Sequence, residues 1–231
     1  MRTLGILGGV GPETTSNFYL YIISQCQKFG GLSRPNILIQ NLPIPYKTEE
    51  QLLLHGKDIN DYLKYLIQYS KLLESAGADF IVMPCNTLHF FEPEIKDSVK
   101  IPFISIVDVT TAFLQRSKPR KVGIIGTKVT LESKFYQNRF EEVGIDCHIP
   151  NEFQQVKIAK MIYGLVNNQY ANSQRQILVE IIEDFANADV SLVLLACTDL
   201  QALIPQHPRT QVIDTMNLLA DEAIRQIHAT A

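Results

Sequence analysis

The sequence predicts an α/β protein of two pseudo-two-fold-related lobes, each a parallel sheet flanked by helices, with a ligand cleft between them. Three observations carry this. Short runs of Ile, Leu, Val and Phe alternate with longer stretches of helical apolar spacing, as parallel strands alternate with crossover helices. The pattern begins again about halfway along the 231 residues. A cysteine followed at once by small polar residues closes one strand in each half, in PCNT at 84–87 and ACTD at 196–199.

TLGILGG at 3–9 reads as the first strand, running into a glycine-rich turn and an amphipathic helix that starts near Pro12. NILIQNL at 36–42 is a second strand. From Asn60 to Ser75 the apolar residues keep helical spacing, so the aromatic run YLKYLIQYS at 62–70 is helix packing, and Gly77 suits the stop. DFIVMP at 79–84 and PFISIVD at 102–108 complete four strands. The second half then echoes the first: VGIIGT at 122–127 repeats LGILGG at 4–9. NADVSLVLLACTD at 187–199 repeats GADFIVMPCNT at 77–87, and RTQVIDTMNL at 209–218 repeats IPFISIVDVT at 101–110. The period is half the chain, which excludes a short-repeat solenoid.

A charged fraction of 19% and a net charge of −3 offer no basic face for nucleic acid or an anionic membrane. No run approaches the roughly 20 apolar residues of a membrane span. Glycines and Pro12 interrupt any signal-peptide core at the start. The expectation is a soluble cytoplasmic protein.

The four cysteines, Cys26, Cys85, Cys147 and Cys197, show no CxxC and no zinc-type spacing, so neither a metal site nor a disulfide framework is expected. Cys26 lies in a helical stretch and Cys147 follows EEVGID in a short strand; both read as structural. Cys85 and Cys197 differ. A buried free cysteine is often just a small core hydrophobe, but core cysteines have no reason to recur at matched strand ends. Ligands of open parallel sheets bind beyond the carboxyl ends of the strands. A pseudo-dyad brings the two thiols to opposite walls of one cleft. Each also precedes a helix start, whose unpaired N–H groups and partial positive charge favour a thiolate. With Asn86, Thr87 and Thr198, the same N–H groups form a cradle for a carboxylate. Two facing thiols suit removal of a proton from one face of a carbon and its return to the other, one acting as base and its opposite as acid. The carbanion between them needs fixed dipoles in a dry site, which lobe closure supplies.

The segments GGVGP, IPYKT, PCNT, GTKVT and the CT of LLACTD occur in that order along essentially the whole chain. In them the chain resembles the cofactor-independent aspartate/glutamate racemase superfamily, its aspartate racemase branch most of all. The resemblance implies racemisation of an acidic amino acid, aspartate and/or glutamate, with no pyridoxal phosphate or other cofactor, by a homodimer. It implies Cys85 and Cys197 as the catalytic bases, with Asn86, Thr87 and Thr198 binding the carboxylate and ammonium. Thr127 and Thr130 match the second-lobe substrate loop, and Val10 stands where the first glycine-rich loop usually carries Met. By the same analogy the C-terminal segment crosses back, so that 1–102 with 209–231 form the first lobe and 103–208 the second. Three positions depart from the aspartate racemase pattern. Lys47 replaces an Arg and loses its two-pronged grip on a side-chain carboxylate. Asn167, after MIYGLV, stands where a Lys is usual, and Asp199 replaces a Glu. Losing one cation and weakening another implies altered or broadened specificity.

Other readings stay open on the residues alone. His89, four residues after Cys85, either helps set the thiol's proton state or is a hydrogen-bonded structural residue. Asp199 either orients Cys197 or caps a helix. Lys47, in a Pro-rich loop, reads as a solvated surface lysine without the family comparison. GGVGPETT is not a dinucleotide fingerprint, because Thr14 holds the third glycine position and the second strand ends in Asn41 rather than an acid; its glycines instead let backbone approach a small ligand. A hydantoin racemase, a maleate-type isomerase with one Cys as nucleophile, and a catalytically silent binder of an acidic metabolite are the alternatives.

Overall fold

The computed structural model describes residues 1–28, 33–169 and 172–229. The first half contains β1 (Leu4–Gly8), α1 (Pro12–Lys28), β2 (Ile37–Asn41), α2 (Tyr46–His55), α3 (Leu63–Ser75), β3 (Phe80–Val82), α4 (Glu92–Ser98), β4 (Phe103–Ile104) and α5 (Ile106–Ser117). The second contains β5 (Lys121–Gly126), α6 (Lys128–Glu132), α7 (Phe135–Glu141), β6 (Asp146–His148), α8 (Glu152–Val166), α9 (Asn172–Asn187), β7 (Leu192–Ala196), β8 (Gln211–Asp214) and α10 (Thr215–His228). Two four-stranded parallel sheets result, ordered β2-β1-β3-β4 and β6-β5-β7-β8, so that each strand of one has its counterpart in the other. The repeated sequence segments are these counterparts.

Alternation along each strand divides the core. Leu4 and Ile6 of β1, with Leu192 and Leu194 of β7, face a cluster shared by both sheets and filled by Phe18, Phe140, Leu219 and Ile227. Leu7 faces a second cluster under α3 and α4, and Val193 and Leu195 face a third under α8 and α9. Both strand faces are buried, so the strands read as continuous apolar runs. Helix starts are capped where a loop leaves a sheet: the Ser105 hydroxyl accepts from the Val107 and Asp108 N–H groups, and Asp214 accepts from that of Met216.

Helix packing joins the halves on two sides, with α10 against α1 and α5 on one and α2 against α8 on the other. The end of α10 lies beside the start of the chain, where Arg2 N–H donates to the Ile227 carbonyl at 3.0 Å. The strand preceding α10 does not join the first sheet. β8 pairs with β7 in the second sheet, and β4 pairs with β3 in the first. The boundaries expected at 102/103 and 208/209 therefore put each of these strands with the wrong sheet. Apolar content alone does not say which neighbour a short strand will pair with. The Pro-rich loop expected around Lys47 is also corrected: Pro45 precedes a helix, α2, and Lys47 lies in its first turn.

Candidate active site

The carboxyl ends of β1, β3, β5 and β7 converge where the halves meet. After β1 comes a turn through Val10 and Gly11; Gly11 has φ +85, and a Cβ there would stand 2.8 Å from Asp199 Oδ1. Glycine is needed at this point both for the left-handed backbone and for the approach of Asp199. After β3 the chain passes Pro84 into Cys85 and the 3-10 turn Thr87–Phe91, and after β7 into Cys197 and the 3-10 turn Thr198–Leu203. Cys85 and Cys197 line one cavity of about 40 Å³, together with Val10, Asn86, Thr87, Thr127, Thr198 and Asp199. Eight of the ten residues expected at the site thus meet in one place.

Threonine hydroxyls lace the strand ends together across the pseudo-dyad. Thr87 Oγ1 is 2.9 Å from Thr127 Oγ1 and 3.2 Å from Thr130 Oγ1, with Thr127 and Thr130 3.0 Å apart. Thr130 is fully buried behind the cavity wall rather than on it. In the other half Thr14 Oγ1 donates to Asp199 Oδ1 at 2.7 Å, and Thr198 Oγ1 donates to the Pro84 carbonyl at 3.1 Å. Asn86 is pinned from the second half: Tyr136 donates to its Oδ1 at 2.5 Å, and its Nδ2 donates to Thr215 Oγ1 at 3.0 Å.

The thiols are not thiolates by default. Burial pushes Cys85 up to about 12, against the pull of the Leu88 and Thr87 N–H groups and with the charges of Asp199 and Glu49 adding to the rise. Cys197 is raised well above its ordinary value, first by burial and then by Asp199. The helix starts do supply N–H groups, but desolvation of the anion outweighs them, so the expected preference for thiolate is overturned. The charge of one thiolate also raises the other, so the two do not ionise together. Cys197 Sγ lies 3.7 Å from Asp199 Oδ2, a carboxylate itself raised by burial and able to take up the thiol's proton. Asp199 does not cap a helix; its two oxygens are held by Thr14 and Cys197.

His89 resolves to a brace. Its Nε2 accepts the Ile106 N–H at 3.1 Å, so the ring proton is on Nδ1, which donates to the Cys85 carbonyl at 2.7 Å. Both nitrogens are engaged away from the thiol, and burial lowers its pKa. Lys47 is exposed and outside the cavity lining. Asn167 is likewise exposed, its amide turned back onto the Tyr163 carbonyl at 2.8 Å. The wall that Lys47 was expected to serve is built instead by Glu49, Leu52 and Leu53 of α2, with Tyr62, Leu88 and Val166. Residues 49, 52 and 53 share one helix face, whereas residue 47, two positions from 49, points away. The spacing of these three residues was the available signal, and reading the segment as a loop concealed it.

Two matched parallel sheets with a cysteine at each of two equivalent strand ends describe the architecture, and the chain's relatives give its class. The family profile for Asp/Glu/hydantoin racemases matches residues 7–223. This chain belongs to that family and is an isomerase. It is 29% identical over 229 residues, 96% of either chain, to the broad specificity amino-acid racemase RacX of Bacillus subtilis. An aspartate racemase homologue from Pyrococcus horikoshii superposes with a TM-score of 0.80 at 26% identity, covering 99% of this chain and all of that one. The Picrophilus torridus aspartate racemase does so at 0.77 and 25%, covering 98% and 94%.

Proposed function

We propose that the enzyme racemises a free α-amino acid by two-base proton transfer between Cys85 and Cys197, with neither pyridoxal phosphate nor a metal. One observation carries the reading: two thiols from equivalent strand ends line a single cavity whose remaining polar groups are hydroxyls, an amide, backbone N–H groups and the carboxyl groups of Asp199 and Glu49. In one direction Cys197 passes its proton to Asp199, the thiolate takes the α-proton, and Cys85 protonates the opposite face. In the other, the Cys85 thiolate is stabilised by the Thr87 and Leu88 N–H groups. Asn86, Thr87, Thr127 and Thr198 hold the α-carboxylate and ammonium, with Thr130 fixing Thr87 and Thr127 from behind. The substrate need not be acidic: Lys47 faces solvent and, among the described residues, no Lys or Arg lines the cavity. The reading fits the name of the Bacillus subtilis relative, a broad specificity racemase. A soluble cytoplasmic homodimer completes the proposal, by resemblance to the aspartate racemases.

The test is proton NMR in deuterated buffer with chelator-dialysed enzyme and both enantiomers of an amino-acid panel. Loss of the α-proton signal with appearance of the opposite enantiomer is expected. Cys85→Ser and Cys197→Ser each lower turnover by about a thousandfold or more, because serine is a far weaker acid and base. Near-normal rates in either variant remove that residue from the mechanism. A trapped covalent substrate–cysteine adduct would point to nucleophilic isomerase chemistry instead.

A further inference from the structure

The wall of the cavity facing the strand ends has a composition of its own. Val10, Leu52, Leu53, Tyr62 and Val166 give it an aliphatic and aromatic surface, and Glu49 places a single carboxylate in it. Among the described residues no hydrogen-bond donor or cation reaches that carboxylate, though it is partly buried and raised by desolvation and by the charge of Asp199. Helix geometry makes the placement deliberate, since Glu49, Leu52 and Leu53 repeat at i, i+3 and i+4 on the face of α2 turned to the cavity. The adjoining cleft, which shares Thr198 and Asp199, adds Glu13 and, among the described residues, no Lys or Arg.

With the α-carbon between the thiols and the α-carboxylate at the strand-end N–H groups and hydroxyls, a substrate side chain extends towards α2. There it meets apolar walls suited to methylenes and then an unpaired carboxylate. An acidic side chain would bring a further negative charge to a place with no cation to receive it. A side chain with a methylene stem and a cationic head satisfies both features, and a charge-assisted hydrogen bond gives the head its preference.

We propose that Glu49 is the specificity-determining residue of this enzyme and that its preferred substrates are cationic amino acids of the lysine, ornithine and arginine class. The assignment rests on the racemase reading above. It is tested by comparing kcat/KM for lysine, norleucine and glutamate in the unaltered enzyme, Glu49→Gln and Glu49→Lys. Norleucine keeps lysine's methylene stem and lacks its ammonium, so the lysine-to-norleucine ratio isolates the charge.

The unaltered enzyme is expected to favour lysine over norleucine at least tenfold, Glu49→Gln to bring the ratio to about one, and Glu49→Lys to move preference towards glutamate. Equal loss on lysine and norleucine in Glu49→Gln, with an unchanged melting temperature, would assign Glu49 to the α-ammonium and overturn the proposal. Turnover of glutamate above lysine by the unaltered enzyme would overturn it as well. Either result leaves the racemase reading intact, whereas α-proton exchange with no amino acid at all removes both.

Discussion

Asp199 and Asp214 are both raised carboxyls, and their surroundings give them different consequences. Asp199 has a hydroxyl and a thiol on its two oxygens, in the wall of the cavity between the two cysteines. Asp214 caps α10 through Oδ1, while its Oδ2 is buried without a partner. Burial raises Asp214 to about 7, with the Met216 and Asn217 N–H groups pulling the other way. Its folded-state value exceeds the unfolded one, so the stability it contributes is complete below about pH 4 and is lost as pH rises through 7. At 1.36 kcal/mol per unit the shift corresponds to roughly 4 kcal/mol. Asp214→Asn keeps the capping oxygen and removes the titration. Urea denaturation at several pH values should therefore show the variant gaining stability over the unaltered protein between pH 4 and 8. A constant difference across that range would show that Asp214 does not titrate there.

Elements act on the site through their ends. The turn between β1 and α1 carries Gly11 past Asp199, and the turn between β5 and α6 carries Thr127 and Thr130 past Thr87, so each half supplies a loop that grips the cysteine segment of the other. Gly11→Ala disturbs this in two ways. A side chain at φ +85 costs about 1–2 kcal/mol, and its Cβ displaces the Asp199 carboxylate from 2.8 Å. We expect a stability loss of that size by chemical denaturation and a fall in kcat of about tenfold or more in a variant that is still fully folded under assay conditions. A variant as active as the unaltered enzyme would dissociate the position of Asp199 from turnover.

At the scale of the molecule the halves share one apolar core, so the cavity is a seam in a continuous body. Its roughly 40 Å³ suffices for a few water molecules at about 10–15 Å³ each. Under the proposed function the halves, or α2 with its Glu49 wall, move apart to admit substrate. Cys197 is buried and Cys85 half-buried, and desolvation raises both thiols so that they are held protonated. Iodoacetamide should modify Cys85 and Cys197 far more slowly than a free thiol at pH 7.5, with the rate climbing steadily up to pH 10. Mass-spectrometric peptide mapping identifies the sites. Rapid modification of both at neutral pH would mean an open, ionised pair, contrary to the buried geometry.

The number of strands, the doubling of the pattern and the two cysteine-bearing strand ends were legible in the chain because each is a local property. Apolar runs bury on both faces wherever a parallel sheet forms, and TLGILGG or LVLLACTD state this without reference to anything distant. The cavity-lining residues Cys85, Asn86, Thr87, Thr127, Cys197, Thr198 and Asp199 follow those strand ends directly, so the strand pattern locates Cys85, Cys197 and their polar neighbours, while the family resemblance singles out Thr127. What tertiary structure decided was relation. Pairing placed β4 and β8 with their sheets, a matter of which edge was free. Helix phase turned Glu49 inward and Lys47 outward, because side chains two positions apart on a helix point to different sides. Burial reversed the expected ionisation of both thiols, since the energy of a charge depends on all the matter around it, and no segment of sequence contains that.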